Sequence, residues 1–246
     1  MNNMVMQNQI IKISREKADS LAMELFIKTT GLNAAGDKCA RMLSQGICLR
    51  ESIQDRINIR AVVSSFPGTA MNGNVAVLGE IKFECNAFES LNPNSVIGIY
   101  AFILTAGDFD DNEHLSALDQ LYTDIWGTSY VEAGLRVLKQ HIKRHINQNI
   151  QNTIEDAQSS DTNITILDRF GPGYYGMDIN QLKQFFKLLD SDSIGVKLVN
   201  NSLMIPIKSC TGFFIAVNDG TILPKSDCYS CRAEFRNCSF CHSSLK

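Results

Sequence analysis

RFGPGYYG, residues 169–176, is the stretch on which the reading of this sequence turns. Gly171, Gly173 and Gly176 make a formal G-x-G-x-x-G, the spacing with which dinucleotide-binding folds seat a pyrophosphate at a helix N-terminus. The surroundings partly agree. Ile164-Thr165-Ile166-Leu167 predicts a strand before the loop, an amphipathic helix follows it, and Asp190 stands about 20 residues further on. Two features disagree. In a dinucleotide fold the glycines themselves open the helix, whereas here Asp178 and Gln181 form a separate N-cap and N3 pair, stapled by Met177 and Leu182. Short strand-like runs then follow (IGVKLV, LMIPI, GFFIAV, TILP) in place of β-α-β units, with Asn200-Asn201 and Asn218-Asp219-Gly220 as turns. A glycine-rich turn with Arg169 in a structural ion pair competes with an anion site.

Upstream, REKADSLAMELFIKTT (15–30) predicts an amphipathic helix, and residues 37–55 a second. NVAVLGEIKFE (74–84) places Val75, Val77, Ile81 and Phe83 on one strand face. Residues 95–105 read as a fully buried strand that ends at Gly107 and an acidic stretch. A long helix follows over roughly residues 114–147, since Val131, Leu135, Leu138, Ile142 and Ile146 recur on one face. Gly127 and Gly134 share a face of that helix. Each is unfavourable there by about 1 kcal/mol relative to Ala, so a neighbouring backbone or a ligand is expected close by. Residues 147–163 are polar and read as a loop.

The chain has 246 residues, 44% of them hydrophobic and 20% charged, with a net charge of −3. Such a chain buries an ordinary globular core. Its pI of about 5.8 offers no basic surplus for a nucleic-acid binder that works by bulk charge. The longest apolar run, Val96 to Ala106, is too short to span a bilayer, and MNNMVMQNQIIKIS has no signal-peptide pattern. A cytoplasmic protein without membrane or nucleic-acid partners is expected. Of the eight cysteines, Cys39, Cys48, Cys85 and Cys210 read as small core residues. The histidines (His114, His141, His145, His242) form no constellation for nucleophilic or general-base work.

RFGPGY, the amphipathic helix after it, IGVKL and LMIPIKSCTG together resemble the activation domain of cobalamin-dependent methionine synthase, above all the stand-alone bacterial proteins built on it. IGIYAFILTAGDFD and LDQLYTDIWGTSYVEAGLRVLKQHI extend the resemblance to roughly residues 75–223. It implies an α+β fold, an antiparallel-rich twisted sheet with helices; a small cysteine-rich tail follows it in the sequence. With the stretches on either side, the chain reads as an N-terminal helical region (1–73), an S-adenosylmethionine-binding domain (74–223) and the tail (224–246). The hallmark of the family is an R-x-x-P-G-Y loop that binds S-adenosylmethionine, with a glycine and a glutamate of the long helix facing the ligand.

On that resemblance Arg169 holds the ligand carboxylate as a planar, bidentate cation, and Glu132 holds its ammonium. Glu132 lies about 100° from Val131 and about 60° from Leu135 around the helix, at the edge of the buried stripe; its alternative is an exposed helix-face charge. Gly171 and Gly173 let the backbone approach the ligand. Tyr174 covers the adenine or ribose, or else merely packs in its loop. Phe213-Phe214 stand where the family pattern leads to a tyrosine contact. No cobalamin-binding D-x-H-x-x-G motif occurs. The implied role is therefore reactivation in trans of a corrinoid-binding protein or methyltransferase, with methyl transfer from the sulfonium trapping reduced cobalt. An electron donor such as flavodoxin or ferredoxin would serve it. The alternative is a metal-stabilised protein-interaction module of the same fold without ligand binding.

The tail contains Cys228, Cys231, Cys238 and Cys241, two C-x-x-C pairs. Each pair can present two thiolates to one ion. Tetrahedral thiolate sites suit zinc or an iron–sulfur cluster; the cluster fits the reactivation role better, because it also relays electrons. Arg232 and Arg236 offset the thiolate charge. Anaerobically purified protein is expected to carry iron with sulfide, or zinc, near stoichiometry. Metal-free protein with four freely titratable tail thiols would refute both forms.

Overall fold

The structure is a computed structural model that describes residues 5–32, 36–109, 115–153 and 164–223. In chain order the elements are β1 (Gln9–Lys12), α1 (Arg15–Thr30), α2 (Asp37–Ser52), β2 (Ile57–Pro67), β3 (Met71–Asn72), β4 (Val75–Leu78), β5 (Ile81–Glu84), β6 (Val96–Gly107), α3 (Ala117–Thr153), β7 (Thr165–Ile166), α4 (Leu182–Leu188), β8 (Lys197–Val199), β9 (Leu203–Ile205) and β10 (Ser209–Val217). A five-stranded sheet runs in the order β1-β2-β6-β10-β7, beside a three-stranded β3-β4-β5 sheet and a β8-β9 hairpin. Every strand pair is antiparallel, so this is an α+β fold.

The main sheet is buried on both faces. Along β6, Tyr100, Phe102, Leu104 and Ala106 enter the core shared with α1 and α3. Their neighbours Ile99, Ala101 and Ile103 enter the opposite core, with Phe83, Phe88, Phe185 and Phe213. That double burial is why VIGIYAFILTA shows no two-residue alternation. β2 hides in the same way: Ala61 and Val63 face one core and Val62 the other. Residues 1–73, expected as a helical region, therefore supply two strands of the main sheet as well as α1 and α2. The division drawn at residue 73 runs through the hairpin of β3 and β4.

The single strand expected over 74–84 is a hairpin, turned at Gly79 with φ +62°. Ala76, Leu78 and Phe83 are buried, while Val77 is exposed. Alternation across the turn mimicked one continuous face.

Helices α1 and α3 cover one face of the sheet, and α2 packs on α3. Phe26 of α1 stacks on Trp126 of α3 with ring centroids 4.0 Å apart and planes 7° apart. The indole Nε1 of Trp126 donates to the Gly46 carbonyl at 2.9 Å. Tyr130 donates its hydroxyl to Asp19 Oδ1 at 2.8 Å, and Arg50 approaches the other oxygen of that carboxylate at 3.6 Å. Both polar aromatics are thus satisfied inside the interface, the condition for burying them at low cost.

The two glycines of α3 have separate reasons, and in each case the close neighbour is a side chain. A Cβ at Gly134 would lie 2.8 Å from Ile59 Cγ2 and 3.3 Å from Leu104 Cδ1. At Gly127 it would lie 2.7 Å from Lys208 Cγ. Among the described residues no helix is long and apolar enough to cross a membrane.

Gly134→Ala separates packing from helix propensity. Propensity alone would gain about 1 kcal/mol. The stub of buried Ile59 cannot swing away, so a net loss of about 1–3 kcal/mol is expected from overpacking. Urea unfolding measures it, and an unchanged or raised stability would sink the packing account.

Candidate functional site

The 169–177 loop is two turns in succession. Tyr174 N donates to Gly171 O at 2.9 Å, and Gly173 has φ +85°. Proline at the second position and a positive-φ glycine at the third make this a type II turn. Met177 N then donates to Tyr174 O at 3.0 Å across Tyr175 (φ +55°) and Gly176 (φ +76°), the signs of a type I′ turn. Gly173 N closes the pair on Met177 O at 2.9 Å.

The loop is anchored at its base. Phe170 and Phe213 exchange backbone hydrogen bonds of 3.0 and 2.6 Å. A Cβ at Gly171 would meet Thr211 O at 2.7 Å, and one at Gly212 would collide with Phe170 O. Both glycines exist because two backbones touch there.

This geometry answers the dinucleotide reading. The amides of residues 170, 173, 174 and 177 all bond within the protein, so they do not form a phosphate cradle. Nor do the glycines open a helix. A 3-10 turn, Ile179–Gln181, precedes α4, and Asp178 caps it by accepting from Asn180 N at 2.8 Å. Gln181 does not complete the expected capping pair. Its amide instead clamps the backbone of Glu84, receiving from the N–H and donating to the carbonyl, each at 2.7 Å.

The turn aims Arg169 and Tyr174 into a cleft of about 340 Å³ between α3, the loop and the β9–β10 connection. That size falls within the roughly 300–1,000 Å³ of small-molecule sites. Arg169 is 17% exposed and Glu132 47%, with Nη1 and Oε1 4.0 Å apart. The guanidinium carbon lies 4.8 Å from the centroid of the Tyr174 ring, a cation–π arrangement. One residue earlier, Asp168 pairs with Lys139 of α3 at 3.0 Å. The strand end is thus tied to α3 by two ion pairs of opposite sense.

Burial works against the Arg169 charge, but Cys210, Glu132 and Tyr174 outweigh it and hold its pKa above the ordinary arginine value. Burial pushes the Cys210 thiol up to about 11, partly opposed by Arg169 and aided by Glu132. Cys210 is therefore neutral at physiological pH, and the Glu132 carboxylate is the charge that steadies Arg169.

Of the residues singled out in the sequence, Glu132, Arg169 and Tyr174 line the cleft together, and Pro172 lines it beside them. Gly171 packs on β10, and Gly173 provides the turn. Among the lining residues not assigned to the site from the sequence are Thr128, Lys208 and Cys210, the last read there as a core residue. Lys208 Nζ reaches Asp124 Oδ1 at 2.6 Å and Thr128 Oγ1 at 3.0 Å. Gly127, under its stem, was the available signal. Phe214 enters the helix-side core and Phe213 the opposite one. His141 and His145 do not line the cleft. Among the described residues no group of three or more His, Cys, Asp or Glu is placed to hold a metal ion. Cys228, Cys231, Cys238 and Cys241 lie outside the described residues.

No protein-family model matches the sequence, and no curated protein matches it. A solved structure does match. The crystal structure of the MetH reactivation domain bound to AdoHcy superposes with a TM-score of 0.59, over 87% of this chain and 80% of that one, at 15% identity. The chain has the fold of the MetH reactivation domain. In this chain the cleft lies where α3, the loop and the start of β10 converge.

Two thiols give the fold a pH signature. Cys85, whose Sγ donates to Tyr175 O at 3.2 Å, is also raised by burial to about 11, from an ordinary value of 9.0. Unfolded thiols lose their protons first, so the stability they contribute is complete below about pH 9 and is lost as pH rises towards 11. The urea midpoint should fall over that window, and a Cys85→Ala, Cys210→Ala double variant should show a shallower fall. Equal slopes would refute the assignment.

Proposed function

We propose that the cleft binds S-adenosylmethionine and its demethylated product, and that the protein serves as a reactivation module for a separate corrinoid-binding protein or methyltransferase. The observation that carries this reading is the long Arg169–Glu132 pair at the cleft wall. At 4.0 Å it sits at the limit of direct contact, and one group is a planar cation while the other is a half-exposed carboxylate. An amino-acid head offers the complement of each, a carboxylate for Arg169 and an ammonium for Glu132. The residues therefore fit the ligand named in the structural match, MetH reactivation domain bound to AdoHcy.

When bound, S-adenosylmethionine supplies a transferable methyl group on sulfur. The protein's own contribution is position. Arg169 and Glu132 fix the head, Tyr174 lies against the guanidinium, and Val131, Ile179, Leu182, Met204 and Ile207 give apolar walls. No acid or base is required of the protein, so its contribution to rate is orientation. In this reading the corrinoid comes from the partner; these 246 residues carry no D-x-H-x-x-G motif. A flavodoxin or ferredoxin as electron donor, metal at the tail cysteines and a cytoplasmic setting belong to the same proposal.

A second reading has one observation in its favour. Arg169 already has Glu132 and Tyr174 as partners, as it would in a protein-interaction module that keeps the fold and no ligand. Calorimetric titration with S-adenosylmethionine and S-adenosylhomocysteine decides. Saturable binding is expected, with Arg169→Ala weakening it at least about tenfold, the loss of about 1.5–3 kcal/mol for a charge-assisted contact. No saturation at millimolar ligand leaves the interaction module.

A further inference from the structure

Lys208 is built into the cleft more elaborately than a surface lysine. Its side chain is 12% exposed and crosses α3 directly over Gly127, where a Cβ would stand 2.7, 3.0 and 3.0 Å from its Cγ, Cδ and Cε. Any other residue at 127 would displace the stem. The ammonium is then tethered on both sides of that glycine, to Asp124 at 2.6 Å and to Thr128 at 3.0 Å. An ammonium has three donors, and these two partners leave one.

Lys208 lines the cleft, so a third donor is left for a ligand there. Its position differs from that of the ion pair described above. Thr128 precedes Glu132 by four residues, about 6 Å along the helix axis, so Lys208 serves a different part of a bound molecule. Nearby hydroxyls are already donating elsewhere: Thr211 Oγ1 to Phe102 O and Ser209 Oγ to Pro206 O, each at 2.6 Å.

We propose that Lys208 is a second ligand-binding residue of the cleft, a hydrogen-bond donor to the hydroxyl- and nitrogen-rich nucleoside end of the ligand. This rests on the ligand reading of the preceding section. Arg169 and Glu132 hold the amino-acid end. Lys208, immobilised by Asp124 and Thr128 over Gly127, holds the other and sets the distance between them. The cleft thereby distinguishes a nucleoside-bearing amino acid from a free one.

The test uses the full chain and three probes: S-adenosylhomocysteine, adenosine and methionine. Lys208→Met keeps most of the stem and removes the ammonium. It is expected to weaken S-adenosylhomocysteine and adenosine about tenfold, the effect of losing a hydrogen bond from a charged donor, while methionine affinity stays within about twofold. Lys208→Arg should recover most of the loss. Unchanged nucleoside affinities overturn the proposal. So does an equal loss for all three probes, which would mean that Lys208 only supports the wall. Should Lys208→Met fail to fold, Thr128→Val repeats the test with the charge retained and one tether removed. A several-fold loss confined to the two nucleoside probes is then expected, and an equal loss or none overturns it. If wild-type protein binds none of the probes, the ligand reading itself fails, and this inference with it.

Discussion

Two strips of backbone, residues 170–171 and 211–213, touch without side chains between them. This approach is the constraint on which the candidate site depends. It needs glycine on both sides, at 171 and 212, and the paired hydrogen bonds of Phe170 and Phe213 hold it. Phe170 and Phe213 are themselves fully buried, so the strips are part of the core. Arg169 leaves the sheet at that point and its direction is inherited from it. The turn beyond only has to return the chain, which Pro172 and Gly173 do.

The long helix contributes the opposing wall and most of the partners. Asp124, Thr128, Glu132 and Lys139 of α3 reach Lys208 on one stretch of chain and Arg169 and Asp168 on another. In each of these pairs the carboxylate is the exposed partner, so solvent screens the attraction and none need contribute much to global stability. Their effect is on the shape of the cleft. The bulk of the folding energy lies elsewhere, in the two cores on either face of β6. An alteration at the site can therefore change binding while leaving the fold intact.

What could be read from the sequence follows from how burial is distributed. α1 and the amphipathic turns of α3 are buried on one side only, so their periodicity shows. β6 is buried on both sides and still recognisable by length. β2 is buried on both sides too, and it was hidden between a helix and a hairpin with clearer patterns. The hairpin of β4 and β5 read as one strand because Gly79 fell in step with the alternation. At the cleft, Arg169, Tyr174 and Glu132 were singled out through the family resemblance of RFGPGY and the long helix, and the fold brings those three together. Lys208 was not, because nothing in one dimension brings residue 208 onto residue 127. The glycine announced only that something passed close by.

The chain has one tryptophan, and its location has a practical consequence. Trp126 is fully buried, stacked on Phe26 and hydrogen-bonded to Gly46, and it does not line the cleft. Its fluorescence therefore monitors the seam between the helices. Occupancy of the cleft leaves that signal unchanged unless the seam itself shifts. Any ligand-dependent change in tryptophan emission would report movement of α1 or α2 against α3, two layers of structure communicating through a single helix.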